Sequence, residues 1–162
     1  MDELSDIFVL YKQFSSGGSI WMMLGIDTSG SDYEEILIIA NCLAEVGHEV
    51  KVLHAVHYKD NLYREVFGEL VGTRYYRKCP DLLVDGNFFE YESYTTDQPK
   101  KAFRNMLHNG LAQSDHIILR QCNLTDGYMI QQIHGQIING IPVSSVWLFN
   151  GREIRPIYNT EG

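Results

Sequence analysis

Asp81, Glu90 and Glu92 are the residues of this chain whose types and spacing point most directly to chemistry. They lie in residues 79–94, CPDLLVDGNFFEYESY, where two short β-type runs flank Asp85-Gly86. Both residues of that dipeptide tolerate positive φ, which predicts a two-residue hairpin turn. With Asp85 and Gly86 as the loop, Asp81 pairs directly with Glu90, and paired residues point to one face. Side chains alternate along a strand, so Glu92 joins Glu90 there, with Phe88 and Tyr94. Three carboxylates on one side of a sheet require compensation by a cation, a proton or solvent. Oxygen ligands suit Mg²⁺, Mn²⁺ or Ca²⁺ rather than zinc, and Mg²⁺ held by one or two carboxylates keeps waters that a phosphate can replace.

Cationic candidates follow close behind. A helix-start signal at 95–99 predicts a helix over 98–113, with Ala102, Phe103, Met106, Leu107, Gly110 and Leu111 as its buried stripe. Lys101, Arg104 and His108 fall on a neighbouring stripe, which would lie beside the end of the carboxylate strand. The next strand, 116–121, carries His116, Ile118 and Arg120 on one face. Lys101, Arg104 or Arg120 would stabilise charge on a reacting phosphate. Without metal, His108 is the candidate general base, since its ordinary pKa lies near neutrality. Upstream, Arg74, Tyr75, Tyr76, Arg77 and Lys78 interleave cations with rings, a composition that suits phosphate contacts and base stacking. Other motifs are weaker. The loop 25–32 has no G-K-[ST] ending for a phosphate cradle, and His54 and His57 would sit on opposite faces of a strand.

The remaining elements are read from periodicity and breakers. Strands are predicted at 7–11 and 20–24 around Ser15-Ser16-Gly17-Gly18. Ser31 and Glu34 form a capping box before a helix that ends at Gly47. A strand over 49–56, a short helix over 60–70 and a helix over 126–139 follow, the last with Met129, Ile130, Ile133, Ile137 and Ile138 inward. Asn150-Gly151 predicts a closing two-residue hairpin between 143–149 and 153–158, whose exposed edge is a candidate surface for a protein partner or homodimer.

The chain has 162 residues, 44% of them hydrophobic, enough for one domain with a core. Its net charge of −8 is carried by residues 1–50, where nine acids face one Lys. Residues 51–104 hold nine Lys/Arg against eight acids, so the hairpin region is near neutral with local basic clusters. That distribution argues against a broadly basic nucleic-acid binder while leaving a local site open. Cys42, Cys79 and Cys122 are odd in number and widely spaced, as expected of reduced thiols in a cytoplasmic protein. No apolar run reaches membrane-spanning length, and the acidic start lacks the character of a signal peptide.

The order of predicted elements over 31–121, with Pro80-Asp81 on one strand and Glu90-Tyr91-Glu92 on the next, resembles the αβββαβ core of PD-(D/E)xK nucleases. The same residues look like the C-terminal tRNase domains of bacterial contact-dependent inhibition toxins, some of them grouped with barnase/colicin/RelE-like RNases that need no metal. The resemblance implies an α/β (α+β) fold, a central mixed sheet flanked by helices, with residues 122–162 adding a helix and the C-terminal hairpin. It implies a nuclease acting on RNA or DNA phosphodiesters, Asp81 and Glu90 as ligands to Mg²⁺ or Mn²⁺, and nucleic acid as partner. Glu92 stands where that family has lysine; it joins the metal set, and Lys100 or Lys101 would substitute for the missing cation. The alternative is a non-catalytic accessory or binding protein on a degenerate nuclease fold.

Overall fold

The structure, a computed structural model, describes residues 4–160. Eight strands form one sheet: β1 (Phe8–Gln13), β2 (Ser19–Met23), β3 (Glu49–Val52), β4 (Leu82–Val84), β5 (Asn87–Glu92), β6 (His116–Arg120), β7 (Ser145–Phe149) and β8 (Ile154–Asn159). The helices are α1 (Leu4–Ile7), α2 (Tyr33–Glu45), α3 (Asn61–Phe67) with a 3₁₀ turn at Gly68–Leu70, α4 (Pro99–Leu111) and α5 (Asp126–Ile138). Strand order in space follows strand order in the chain without exception. The β2–β3, β5–β6 and β6–β7 pairs are parallel and the other four antiparallel. β2, β3, β5, β6 and β7 therefore share one direction, which brings their carboxyl ends and the amino end of β4 to one edge. This is the expected mixed-sheet α+β architecture.

The two faces of the sheet are covered differently. Ile39, Ala40, Leu43 and Ala44 of α2 pack on Val50, Val52, Leu82, Val84, Phe89, Tyr91 and Ile118. On the other face, Phe103, Met106, Leu107 and Leu111 of α4, with Met129 and Ile133 of α5, cover Ile117, Leu119, Val146 and Leu148. Tyr63, Val66 and Phe67 of α3 cover Met23 and Phe88 on that same side. Hence β2-α2-β3 and β5-α4-β6 step the same way across the sheet with their helices on opposite faces. The two crossovers are of opposite hand, and one departs from the right-handed rule. Gly18 makes the tight entry to β2 possible: a Cβ there would lie 1.7 Å from the Ala44 carbonyl oxygen.

The Asp85-Gly86 hairpin forms with the expected register, Val84 opposite Asn87 and Leu82 opposite Phe89. Both turn residues have positive φ, 49° and 88°, as a type I′ turn requires. The strand predicted over 49–56 ends at Val52 instead. Leu53 N–H still reaches the Asp81 carbonyl at 2.9 Å, which puts Pro80 between bonded positions on the β3 side; its missing N–H faces β5, where the Tyr91 N–H goes to Asp81 Oδ2. At Val56 the Cys79 thiol takes over, bonded to the Val56 N–H at 3.5 Å and carbonyl at 3.4 Å.

Three further expectations are corrected. The Ser31–Glu34 capping box is absent: the N-cap of α2 is Asp32, without a side-chain cap bond, which leaves Ser31 outside the helix. Ile137 and Ile138 are exposed: Met129 and Ile133 are the buried residues of α5, and its last turn runs past the core. The closing hairpin turns over four residues. Asn150 Oδ1 accepts the N–H groups of Arg152 and Glu153, a side-chain-built turn that replaces the two-residue type I′ form.

Candidate functional site

β5 borders two packing units: Phe88 belongs to the cluster under α3, while Ile117 on the adjoining β6 belongs to the cluster under α4. Glu90 and Glu92 alternate with the buried Phe89 and Tyr91, so they share the face of Phe88 and enter the seam between those units. Asp81, one residue before β4, extends the hairpin register to face Glu90. Its Oδ2 accepts the Tyr91 N–H at 2.9 Å. Gly110 of α4 closes over the seam, since a Cβ there would stand 3.4 Å from the Glu92 Cγ.

Electrostatics confirm that the carboxylates act on one another. Burial pushes the Glu90 pKa up, reinforced by the charge of Asp81 and the hydrogen bond to it, to about 11. Glu90 is thus protonated at neutral pH and shares that proton with Asp81. Burial also raises Asp81, with Asp32 adding to the rise, while the Tyr91 N–H and the Glu90 hydrogen bond oppose it. Glu92 is driven up to about 7 by burial first and the charge of Asp81 second. Glu90 Oε1 is buried without a hydrogen-bond partner among the described residues, a lone-pair site that a cation or a donor would satisfy.

The opposite face supplies residues that sequence reasoning missed. Tyr91, 3% exposed, donates its hydroxyl to Glu35 Oε2 of α2. Ser93 donates to Asp32 Oδ1 at 3.4 Å, and the charge of Asp32 acts on Asp81, Glu92 and Tyr91 together. The first turn of α2 therefore brings a fourth acid, Asp32, to the carboxyl edge. Its only sequence signal was a position at a predicted helix start, and nothing local says that this helix end meets β5.

The cationic candidates are placed elsewhere. Lys101, Arg104 and His108 are exposed on the solvent side of α4, opposite its buried stripe. No ion pair joins them to a carboxylate among the described residues. Arg120 is on the α2 face, its guanidinium 5.3 Å from the centre of the Phe149 ring and close enough to lower the Tyr91 pKa. It is thus across the sheet from Glu90 and Glu92. Lys100 is drawn to the ring of Tyr128 at 5.3 Å. Among the described residues, no three His, Cys, Asp or Glu side chains are arranged to hold a metal ion. Asp81 and Glu90 face one another across the hairpin.

Comparison with protein-family models, with curated proteins and with solved structures finds no match. No helix among the described residues is long and apolar enough to cross a membrane.

Proposed function

We propose that this domain acts on nucleic-acid phosphodiesters at the Asp81–Glu90–Glu92 seam. The observation that carries the reading is the buried, facing carboxylate pair in which Glu90 Oε1 has no hydrogen-bond partner among the described residues. The order α2-β3-β4-β5-α4-β6, with α3 inserted before β4, supports it through the resemblance to PD-(D/E)xK nucleases.

Asp81 and Glu90 fit a hard divalent cation as two carboxylate ligands, with water completing the shell. A bound Mg²⁺ or Mn²⁺ would neutralise a phosphate and make an attacking water more acidic. Glu90 must release its proton to bind the ion, and Asp81, anchored by the Tyr91 N–H, keeps the pair aligned meanwhile. Glu92, with a pKa of about 7, accepts a proton from water near neutrality, the task lysine serves in the resembling enzymes. His108 is not used, since its ring is on the far side of α4.

A second reading is favoured by one observation: Lys101, Arg104 and His108 all point to solvent, so no basic group faces the carboxylates from α4. A non-catalytic protein on the same fold would keep the seam as a proton-sharing cluster. Incubating the wild type and Asp81→Ala with tRNA and plasmid DNA, with Mg²⁺, Mn²⁺ or EDTA, separates the two. The nuclease reading expects metal-dependent cleavage that Asp81→Ala abolishes, with a metal-induced rise in melting temperature lost in the same variant. Neither cleavage nor metal-dependent stabilisation of the wild type leaves the accessory reading.

A further inference from the structure

We infer that His57, Tyr58, Lys59 and Arg77 form a platform for the phosphate backbone of a single-stranded nucleic acid. Tyr58 is its centre. His57 stacks on it with centroids 4.7 Å apart and planes 23° apart. The Arg77 guanidinium lies 4.1 Å from the Tyr58 ring centre and the Lys59 ammonium 5.9 Å. Tyr76 meets Tyr58 edge to face at 6.0 Å, and its own ring is 5.7 Å from Arg77.

Arg77 is exposed, yet it is held in place by an unusual backbone. Its φ is +76°, a left-handed conformation that disfavours a non-glycine residue. Buried Tyr63 fixes it from beneath: the hydroxyl accepts the Arg77 N–H at 2.8 Å and donates to the Lys78 carbonyl at 2.9 Å. Strain maintained by a buried anchor, with the guanidinium turned outward, is a pattern of functional sites. Among the described residues neither Arg77 nor Lys59 has a carboxylate partner, although the chain carries 21 acids. Two unpaired cations beside stacked rings match a strand of phosphates, and a guanidinium plane also accepts a stacked base.

The position fits the seam. Residues 53–58 run beside 77–81, joined at Leu53–Asp81 and Val56–Cys79. Arg77 is four residues from Asp81, on the order of 13 Å along an extended chain. A strand held at Arg77 thus leads toward the carboxylates within a few nucleotides. The ligand class rests on the phosphodiester reading above; the platform's geometry does not.

The test is fluorescence anisotropy with a fluorescein-labelled mixed-sequence RNA dodecamer and its DNA counterpart, in EDTA across a salt series. Wild-type binding should weaken as salt rises, and removing a phosphate contact should lower affinity about tenfold and reduce the log–log salt slope by about one. Arg77→Gly removes the guanidinium while relieving the backbone, so it should keep the melting temperature and lose the binding. Lys59→Ala should weaken binding in the same way, and Lys12→Ala, on the distant β1 edge, should not. Absence of wild-type binding, or Arg77→Gly binding within about twofold of wild type, overturns the platform. Metal-dependent cleavage with an Arg77→Gly KM equal to wild type refutes the platform and spares the nuclease. Binding in EDTA that Arg77→Gly weakens, without cleavage under any metal, does the reverse.

Discussion

Replacing Glu90 with glutamine should make the metal-free protein more stable at neutral pH. Glu90 is pushed from 4.5 to about 11 by burial and by Asp81, so folding at pH 7 must take up a proton that the unfolded chain has lost. A raised carboxyl pKa confers stability that is fully present below the unfolded value and is lost as pH rises toward the folded one. Between 4.5 and pH 7 the loss is about 3 kcal/mol, at roughly 1.4 kcal/mol per unit. Glutamine is close in shape to the protonated acid, donates to Asp81 as it does, and needs no proton. The variant should therefore melt about 6–12 °C higher at pH 7, at roughly 2–4 °C per kcal/mol for a chain of this size. The two proteins should converge as pH falls to 4.5. Mg²⁺ at a hundredfold excess over Kd should raise the wild type alone, by about 2.7 kcal/mol, and so close most of the gap. Calorimetry from pH 4.5 to 8, with EDTA or Mg²⁺, reads both effects. A Glu90→Gln protein less stable than wild type at pH 7 in EDTA would refute a protonated Glu90.

Two predictions concern the frame around the site. Tyr91→Phe removes the hydroxyl bond to Glu35 and should cost about 1.5–3 kcal/mol in urea unfolding, as for a buried bond to a charged partner; an unchanged midpoint would refute a stabilising role for that bond. Gly18→Ala places a methyl 1.7 Å from the Ala44 carbonyl oxygen, so α2 or β2 must shift, at a cost above about 4 kcal/mol; soluble expression and circular dichroism report it.

The hairpin was legible because it is local: Asp85-Gly86 sets the turn, and a period of two assigns every side chain. α4 was legible as an element, from Pro99 and its apolar spacing, but the orientation of its basic stripe relative to the carboxylates was not. Lys101, Arg104 and His108 neighbour one another on the helix, and only the packing of Phe103, Met106 and Leu107 decides that they face solvent. The roles of Asp32 and Glu35 depend on α2 crossing toward β5, a contact between residues more than fifty positions apart that no window of sequence contains. The start of β4 is an intermediate case. Pro80 announced a missing donor, but which strand would miss it depends on pairing. At Ser31 and at Asn150 the motif residues were present while the backbone used a neighbouring solution, Asp32 as cap and a four-residue turn.

Because strands lie in the sheet in the order in which they occur in the chain, none must be inserted between two that have already joined. Each new strand meets a free edge left by its predecessor, so closing entropy is spent on short loops or single crossovers. A chain leaving the ribosome from its N-terminus can lay down β1 to β8 as a growing ribbon. The Asp81–Glu90 pair would then form with the first five strands, before α4 covers it. During that interval the acids remain hydrated and ionised, and their burial waits for a helix that has yet to emerge.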